Sequence, residues 1–165
     1  MTFRQLYESH AAHVRRFVLF LGADAALADD LTSDTFVRAW TTSAPIRQDS
    51  ARAYLFTIAR NLFRDARRRA RRHSSLDDDL PDTGLPVHQQ VEDRSELDTV
   101  LRAMRTLPAS DRLILLMRAQ EQLSHEEMAQ ALGLSVTAVK VKLHRARQKL
   151  MRLTRVEADT GSETP

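Results

Sequence analysis

Apolar side chains recur at helical spacing over the first seventy residues, and this pattern predicts three helices. Gly22 ends the first pattern, and Asp24 is a candidate N-cap of a second helix that runs through Trp40. A polar loop follows, and Ser50 is a candidate cap of the third helix. No segment alternates β-branched residues between turn residues, so the pattern predicts no strand.

The helical pattern returns between Arg94 and Met151. Leu107-Pro108 interrupts it, because proline cannot continue a helix from the preceding turn. Ser110 is the candidate cap of the helix that follows this break.

Residues 74–91 separate the two helical regions and lack periodicity. Pro81, Gly84 and Pro86 interrupt this segment, which predicts a linker and a domain boundary. The pattern therefore predicts an all-α chain of two small helical domains joined by a flexible linker, with a helix-turn-helix in the C-terminal one. The expected divisions are an N-terminal domain at 1–73, an acidic linker at 74–93, a C-terminal domain at 94–155 and a disordered tail at 156–165.

The strongest local pattern lies between Leu123 and Lys140. Ser124 and Glu127 have the spacing of a capping box, which begins a helix. Gly133 suits a tight turn, and Ser135 is a candidate cap of the next helix. Val139 and Leu143 are spaced to pack the second helix against the first. This arrangement predicts a helix-turn-helix that offers its second helix to a DNA major groove, although a plain basic hairpin has the same outline.

The second helix of this motif has a polar, basic outer face. Lys140 and Arg145 can donate hydrogen bonds to guanine edges, whereas Lys142, Arg147 and Lys149 suit phosphates. Thr137, on the same face, is a further expected phosphate contact, and Val141, His144 and Gln148 are expected on this face as well.

Charge is unevenly distributed although the net charge is only +3. Residues 60–73 hold seven Arg against one Asp, and residues 136–155 hold seven Lys or Arg and no acid. Residues 74–96, between them, hold seven acids and one Arg. Two basic blocks favour two contacts with a polyanion, although solvated helix faces would show the same charges.

The third helix of the first domain ends in one of these basic blocks. Tyr54 and Phe56 lie near Asn61, Arg60 and Arg64 in the sequence. Aromatic rings, an amide and guanidinium groups together suit unstacked, single-stranded bases. Nonspecific phosphate binding or simple solvation of the helix end is the alternative.

The chain lacks the residues that several classes of function require. The chain has no Cys, so it has neither disulfides nor a thiolate metal site, which agrees with a reducing cytoplasm. Its four Gly form no phosphate-binding loop, and no apolar run is long enough to span a membrane. His10 and His13 are spaced as possible metal ligands but lack further ligands in the pattern. No metal, cofactor or membrane insertion is therefore expected.

Two rival interpretations come from other classes. A helix-turn-helix repressor would use the first domain to dimerise or to bind a ligand, but no dimer seam is evident. A nucleic-acid enzyme would need clustered carboxylates, and residues 77–79 are three adjacent Asp. They lie in the linker segment, which cannot hold a metal site in a fixed geometry.

Three segments in this order resemble a known family. The family is the extracytoplasmic-function (ECF) sigma factors of the sigma-70 family. Its core-binding helix is similar to residues 29–40 (DDLTSDTFVRAW), and its promoter-melting helix is similar to residues 53–61 (AYLFTIARN). Its −35-reading domain is similar to Leu107-Pro108 followed by residues 123–150. The resemblance covers about residues 3–153. It implies a cytoplasmic, non-catalytic promoter-specificity subunit of RNA polymerase.

The resemblance also implies roles for individual residues. The expected partners are promoter DNA, core RNA polymerase through the clamp helices of its largest subunit, and an anti-sigma factor. Residues expected to face the clamp helices are Asp30, Leu31, Asp34, Phe36 and Arg38. Asn61 and the loop at 43–49, which offers Ile46, are expected to capture a flipped −10 base. Residues expected to read the −35 element are Lys140, Val141, His144 and Arg145.

Overall fold

A computed structural model of the chain describes residues 2–42, 46–47, 50–73 and 96–161, and these segments form seven helices and no strand. The expected all-α class is thus confirmed. The helices are α1 (Phe3–Leu21), α2 (Ala25–Thr41), α3 (Ala51–His73), α4 (Glu96–Thr106), α5 (Ala109–Ala119), α6 (His125–Leu132) and α7 (Val136–Gly161).

Local capping chemistry sets most helix ends. Gly22 ends α1 in the left-handed conformation, and the Asp24 side chain accepts from the amide of Leu27 at 2.8 Å to begin α2. The expected cap at Ser110 is wrong. The N-cap of α5 is Pro108, whose carbonyl accepts the amide of Arg112 at 3.0 Å, so the chain enters the helix directly after the proline.

The first domain is a three-helix bundle of α1, α2 and α3. Phe17 of α1 and Phe56 of α3 stack with their ring centroids 4.3 Å apart, and both rings are fully buried. Leu6, Phe36 and Leu55 complete the centre of this core. Burial of large aromatic and aliphatic side chains from all three helices holds the bundle together.

In the second domain, α4, α5 and α6 pack around α7. Ile114, Met117, Met128 and Leu143 are almost completely buried at its centre. Helix α7 continues to Gly161, although a disordered tail was expected from residue 156. The helix can continue because no Pro or Gly interrupts the sequence between these points.

The two domains are in direct contact. Helix α3 packs against α6, and α1 packs against α5, so the buried residues of both domains form one continuous cluster. The expected linker at 74–93 lies outside the described residues. None of the helices in the described segments is long and apolar enough to cross a membrane.

Candidate nucleic-acid interface

The helix-turn-helix forms as the sequence predicts. The Ser124 hydroxyl accepts from the amide of Glu127 at 3.1 Å, and the Glu127 carboxylate accepts from the amide of Ser124 at 2.7 Å. Gly133 ends α6 at φ 65°, a left-handed conformation that favours glycine. The Ser135 hydroxyl then accepts from the amide of Ala138 at 3.1 Å at the start of α7. These local bonds fix the angle between the two helices.

Helix α7 turns one face to the core and the opposite face to solvent. Val139, Leu143 and Ala146 are buried beneath α6 and its neighbours. All four residues expected to read bases, Lys140, Val141, His144 and Arg145, are exposed. The expected phosphate contacts Thr137, Lys142, Arg147 and Lys149 are exposed as well.

Helical geometry orders these exposed residues across the groove-facing surface. Successive residues are rotated by about 100°, so Val141 lies opposite the buried face, with His144 and Arg145 about 50° to either side of it. Lys140 and Arg147, seven residues apart, share one flank, and Arg145 lies on the other. Lys149 donates to Asp111 at 2.6 Å and is therefore already paired within the domain.

Helix α3 is divided between core and surface. The expected DNA contact Phe56 is fully buried and stacked on Phe17, so its ring belongs to the core and not to a nucleic-acid surface. The amphipathic repeat of α3 could have assigned Phe56 to the core, because it lies three residues before Ala59 and seven before Phe63, which are both buried. Tyr54 is half-buried, whereas Asn61 and Arg64 are exposed.

Asn61 and Arg64 line a cleft of about 310 Å³ on the first domain. Arg38 of α2, expected to face the polymerase, lies in the same cleft. The remaining lining residues are Ile58, Asp65 and Arg68. The structure thus joins an amide, an acid and three guanidinium groups at one cleft. Sequence reasoning missed the contribution of α2, because only the packing of α2 against α3 brings Arg38 there.

Arg60 lies against the second domain in this arrangement. Its guanidinium lies over the turn of the other domain, where a Cβ placed on Gly133 would be 3.0 Å from Nη1 of Arg60. Partial burial, followed by the positive charge of Arg64, lowers the pKa of Arg60 from its usual range. Ile46 packs half-buried against the core, and the other residues of its loop except Arg47 lie outside the described part of the chain.

The candidate polymerase-binding residues of α2 fall on two faces. Asp30 and Asp34 are exposed and one turn apart, so their carboxylates share a face. Leu31 and Phe36 are buried in the core of the first domain, so these two expected contacts do not reach the surface.

An apolar patch that sequence reasoning had not resolved adjoins these carboxylates. The Val37 side chain is 57% exposed and Trp40 is 52% exposed. Phe3 of α1 meets the Trp40 ring edge-on, with the centroids 5.5 Å apart. Exposed aromatic and aliphatic groups beside charges are typical of protein–protein interfaces.

The two histidines considered as metal ligands have other neighbours. His13 contacts the carboxylate of Glu121 at 2.5 Å, and no group of three or more possible ligands occurs among the described residues. His10 is partly buried, and burial, followed by the charges of His13 and Arg52, lowers its pKa.

Comparison with known proteins gives matches in both domains. Residues 6–73 match the family model described as Sigma-70 region 2, and residues 97–150 match that described as Sigma-70, region 4. The chain is 35% identical to the ECF RNA polymerase sigma factor SigL of Mycobacterium tuberculosis, over 92% of this chain and 87% of that protein. It is 31% identical to the ECF RNA polymerase sigma factor SigM of Bacillus subtilis, over 93% and 95% of the two chains.

A solved structure with the same fold is that of CnrH in complex with the cytosolic domain of CnrY. The TM-score is 0.60 at 31% identity, and the superposition covers 95% of this chain and 88% of CnrH.

Proposed function

The chain belongs to the ECF sigma factors of the sigma-70 family, and on that premise we propose that its two exposed basic surfaces divide promoter recognition between them. The outer face of α7 reads the −35 element as duplex. The cleft beside Asn61 holds a base of the −10 element as single strand. The observation that carries this division is that α7 presents four candidate base-reading residues to solvent, while the cleft places an amide beside three guanidinium groups.

Core RNA polymerase binds the acidic and apolar face of α2 in this proposal. Asp30 and Asp34 supply charge, and Val37 and Trp40 supply apolar area that is exposed in the chain by itself. The exposed apolar area gives affinity, whereas the carboxylates set orientation and the rate of encounter. The protein acts in the cytoplasm and contributes specificity to the polymerase without catalysing a reaction itself.

An anti-sigma factor is proposed as a further partner. CnrH, which shares the fold, was solved with the cytosolic domain of CnrY. The same exposed surfaces that bind polymerase and DNA would be available to such an inhibitor.

Transcription by reconstituted polymerase tests the whole proposal. Core polymerase and the purified chain are mixed with fragmented genomic DNA, and run-off transcripts are sequenced. Discrete start sites that share spaced −10 and −35 sequences are expected. Transcripts identical to those of core polymerase alone would refute promoter selection, and tight sequence-specific DNA binding without core binding would favour the repressor interpretation.

A charge-reversal pair tests the polymerase face. Asp30→Arg with Asp34→Arg should abolish binding to core polymerase, because it places two cations where carboxylates are proposed to pair. The matched control is Glu8→Arg with Glu126→Arg, which changes net charge equally at exposed positions. Both chains should keep the helical circular-dichroism spectrum of the reference. Normal core binding by the first pair would place the interface elsewhere.

A further inference from the structure

Glu121 is a charged residue that is buried at the contact between the domains. It lies in the turn between α5 and α6, and its side chain is 0% exposed. All three side chains that contact its carboxylate come from the other domain: His13 and Arg16 of α1, and Arg52 of α3. The second domain thus buries a carboxylate whose neutralising charges are supplied entirely by the first.

The three contacts differ in length. His13 Nδ1 lies 2.5 Å from Oε2, Arg16 Nε lies 3.3 Å from Oε1, and Arg52 Nη1 lies 3.9 Å from Oε2. Burying an ionised carboxylate is strongly unfavourable unless opposite charges accompany it. When the domains separate, water can solvate the same carboxylate. The charges of Arg16 and Arg52 therefore offset the cost of burying the carboxylate only in the closed arrangement.

The hydrogen-bonding capacity of this contact is incompletely satisfied. Oε1 of Glu121 and Nε of Arg52 are buried without a hydrogen-bond partner among the described residues. Unsatisfied buried polar atoms weaken the closed arrangement relative to an open, hydrated one. A contact with this balance can hold two domains together and still release them when a competing partner binds.

The turn that carries Glu121 is fixed within its own domain. Gln122 has φ 53°, the only positive φ of a non-glycine residue in the described segments. Leu123 is fully buried, and its amide donates to the carbonyl of Met117. Its own carbonyl accepts from the guanidinium of Arg118 at 2.7 Å. A left-handed residue of this type persists where its surroundings determine the backbone. The carboxylate is therefore presented to the first domain by a preformed turn.

The same contact covers part of α3. The Thr57 hydroxyl lies 3.3 Å from the carbonyl of Gln130 in α6, within donating distance, and Arg60 lies over Gly133. Among the residues expected to contact the single strand, this contact involves Arg60. Asn61, Arg64 and the outer face of α7 stay exposed.

We propose that Glu121 is an electrostatic latch that holds the free chain in a closed, autoinhibited arrangement, in which the second domain covers the Thr57–Arg60 segment of α3. A partner that needs the domains apart releases the latch and returns Glu121 to water. The inhibitory consequence rests on the proposed function of α3, whereas the latch itself is a property of the free chain and is measured without DNA.

The distance between the domains tests the latch directly. The chain lacks Cys, so Ala26→Cys and Ser110→Cys, both exposed and one in each domain, introduce the only two sites for spin labels. Pulsed electron–electron double resonance then gives the distance distribution in the labelled reference, in Glu121→Gln and in Glu126→Gln. The last variant removes one negative charge from an exposed position of the same domain and is the matched control.

One narrow distance is expected for the reference and for Glu126→Gln. Glu121→Gln should add a longer, broad population and raise the ratio of open to closed chains by about tenfold. Arg16→Gln should also open the chain, because it removes the partner in the first domain. Glu121→Gln and Arg16→Gln together should have a less than additive effect, because both remove the same interaction. A broad distribution in the reference, or a Glu121→Gln distribution equal to that of the control, would overturn the latch.

Binding of a labelled single-stranded −10 oligonucleotide pool to the same chains tests the inhibition. Opened chains should bind about tenfold more tightly than the reference, in proportion to the open fraction. Opening without any gain in binding would overturn the inhibitory role. Failure of every variant to bind single strands, with the latch opening as expected, would instead refute the proposed function of α3.

Discussion

The two basic helices α3 and α7 differ in what the fold leaves accessible. The face of α7 that is proposed to read bases is exposed along its length, because α4, α5 and α6 occupy only the opposite side. Helix α3 lies between two neighbours: the first domain buries Phe56, and α6 of the second domain meets Thr57. The fully exposed residues of α3 begin at Asn61, in its C-terminal half.

The difference indicates an order of events in promoter recognition. A surface that reads duplex DNA needs no rearrangement before contact, so α7 can be ready in the free chain. A surface for unpaired bases is useful only after the strands separate. We infer that holding Arg60 against the Gly133 turn keeps the single-strand surface incomplete until polymerase and duplex DNA have been engaged.

The largest expected effect tests whether the buried side of α3 is structural. Phe56→Ala should lower the free energy of unfolding by about 3–5 kcal/mol, because it leaves a cavity against Phe17. Urea unfolding followed by circular dichroism measures this loss. Tyr54→Ala, at a half-buried neighbouring position, is the control and should cost less. If Phe56→Ala is as stable as the reference, the Phe56 ring does not stabilise the core and is again a candidate DNA contact.

The next effect concerns how α7 reads sequence. Arg145→Ala should weaken binding to the preferred −35 base by about 1–3 kcal/mol, since a lost guanine contact affects one position. Arg147→Ala should weaken all sequences alike and reduce the salt dependence, as expected for a phosphate contact. Promoters varied one base at a time, at two salt concentrations, separate these outcomes.

Two results would change this assignment. Uniform loss in both variants would make Arg145 a phosphate contact and place base reading on other residues. Loss of preference at one base in Arg147→Ala would mean that α7 meets the groove rotated by about a third of a turn.

A smaller effect is expected at the exposed half of α3. Asn61→Ala should weaken open-complex formation by about 1–2 kcal/mol, because the amide would no longer hydrogen-bond a flipped base. Binding to a duplex that carries only the −35 element should be unchanged and serves as the control. Permanganate footprinting reports the unpaired bases. Unchanged melting would remove Asn61 from the single-strand site.

The smallest expected effect is a pH dependence of the free energy of unfolding that comes from His10 in the first domain. The pKa of His10 in the folded chain is lowered from its ordinary value near 6.5. The unfolded chain therefore takes up a proton at a higher pH than the folded chain, so stability should fall as pH drops below about 6.5. His10→Gln should reduce this fall in urea titrations at pH 7.5 and 5.5. An unchanged or steeper fall in the variant would exclude His10 as its source.

Sequence predicted best the features that depend on neighbouring residues. Asp24, the Ser124–Glu127 pair and Ser135 form the caps expected of them, and Gly22 and Gly133 end helices in the left-handed conformation. Each of these signals acts within a few residues, so the chain around it suffices to specify it. The prediction that Ser110 caps α5 was wrong, because Pro108, two residues earlier, is already the N-cap of that helix.

Long-range placement was harder to predict. Phe56 lies among residues suited to DNA in the sequence, yet tertiary packing turns it towards Phe17. Arg38 reaches the cleft beside Asn61 only because α2 crosses α3. Glu121 gave no local signal, since its partners lie more than sixty residues away along the chain. Sequence patterns specify the faces of helices, whereas contacts between domains depend on how those faces meet.

The contact between α3 and α6 also determines how the free chain should unfold. A continuous buried cluster links both domains, so melting one exposes apolar surface and an unpaired carboxylate on the other. The two folding units are then thermodynamically coupled, and calorimetry should show one cooperative transition. Once the contact is broken, each small bundle has only its own modest core and should melt at its own temperature. The same contact that covers a nucleic-acid surface thus makes one cooperative unit of two domains that are each marginally stable.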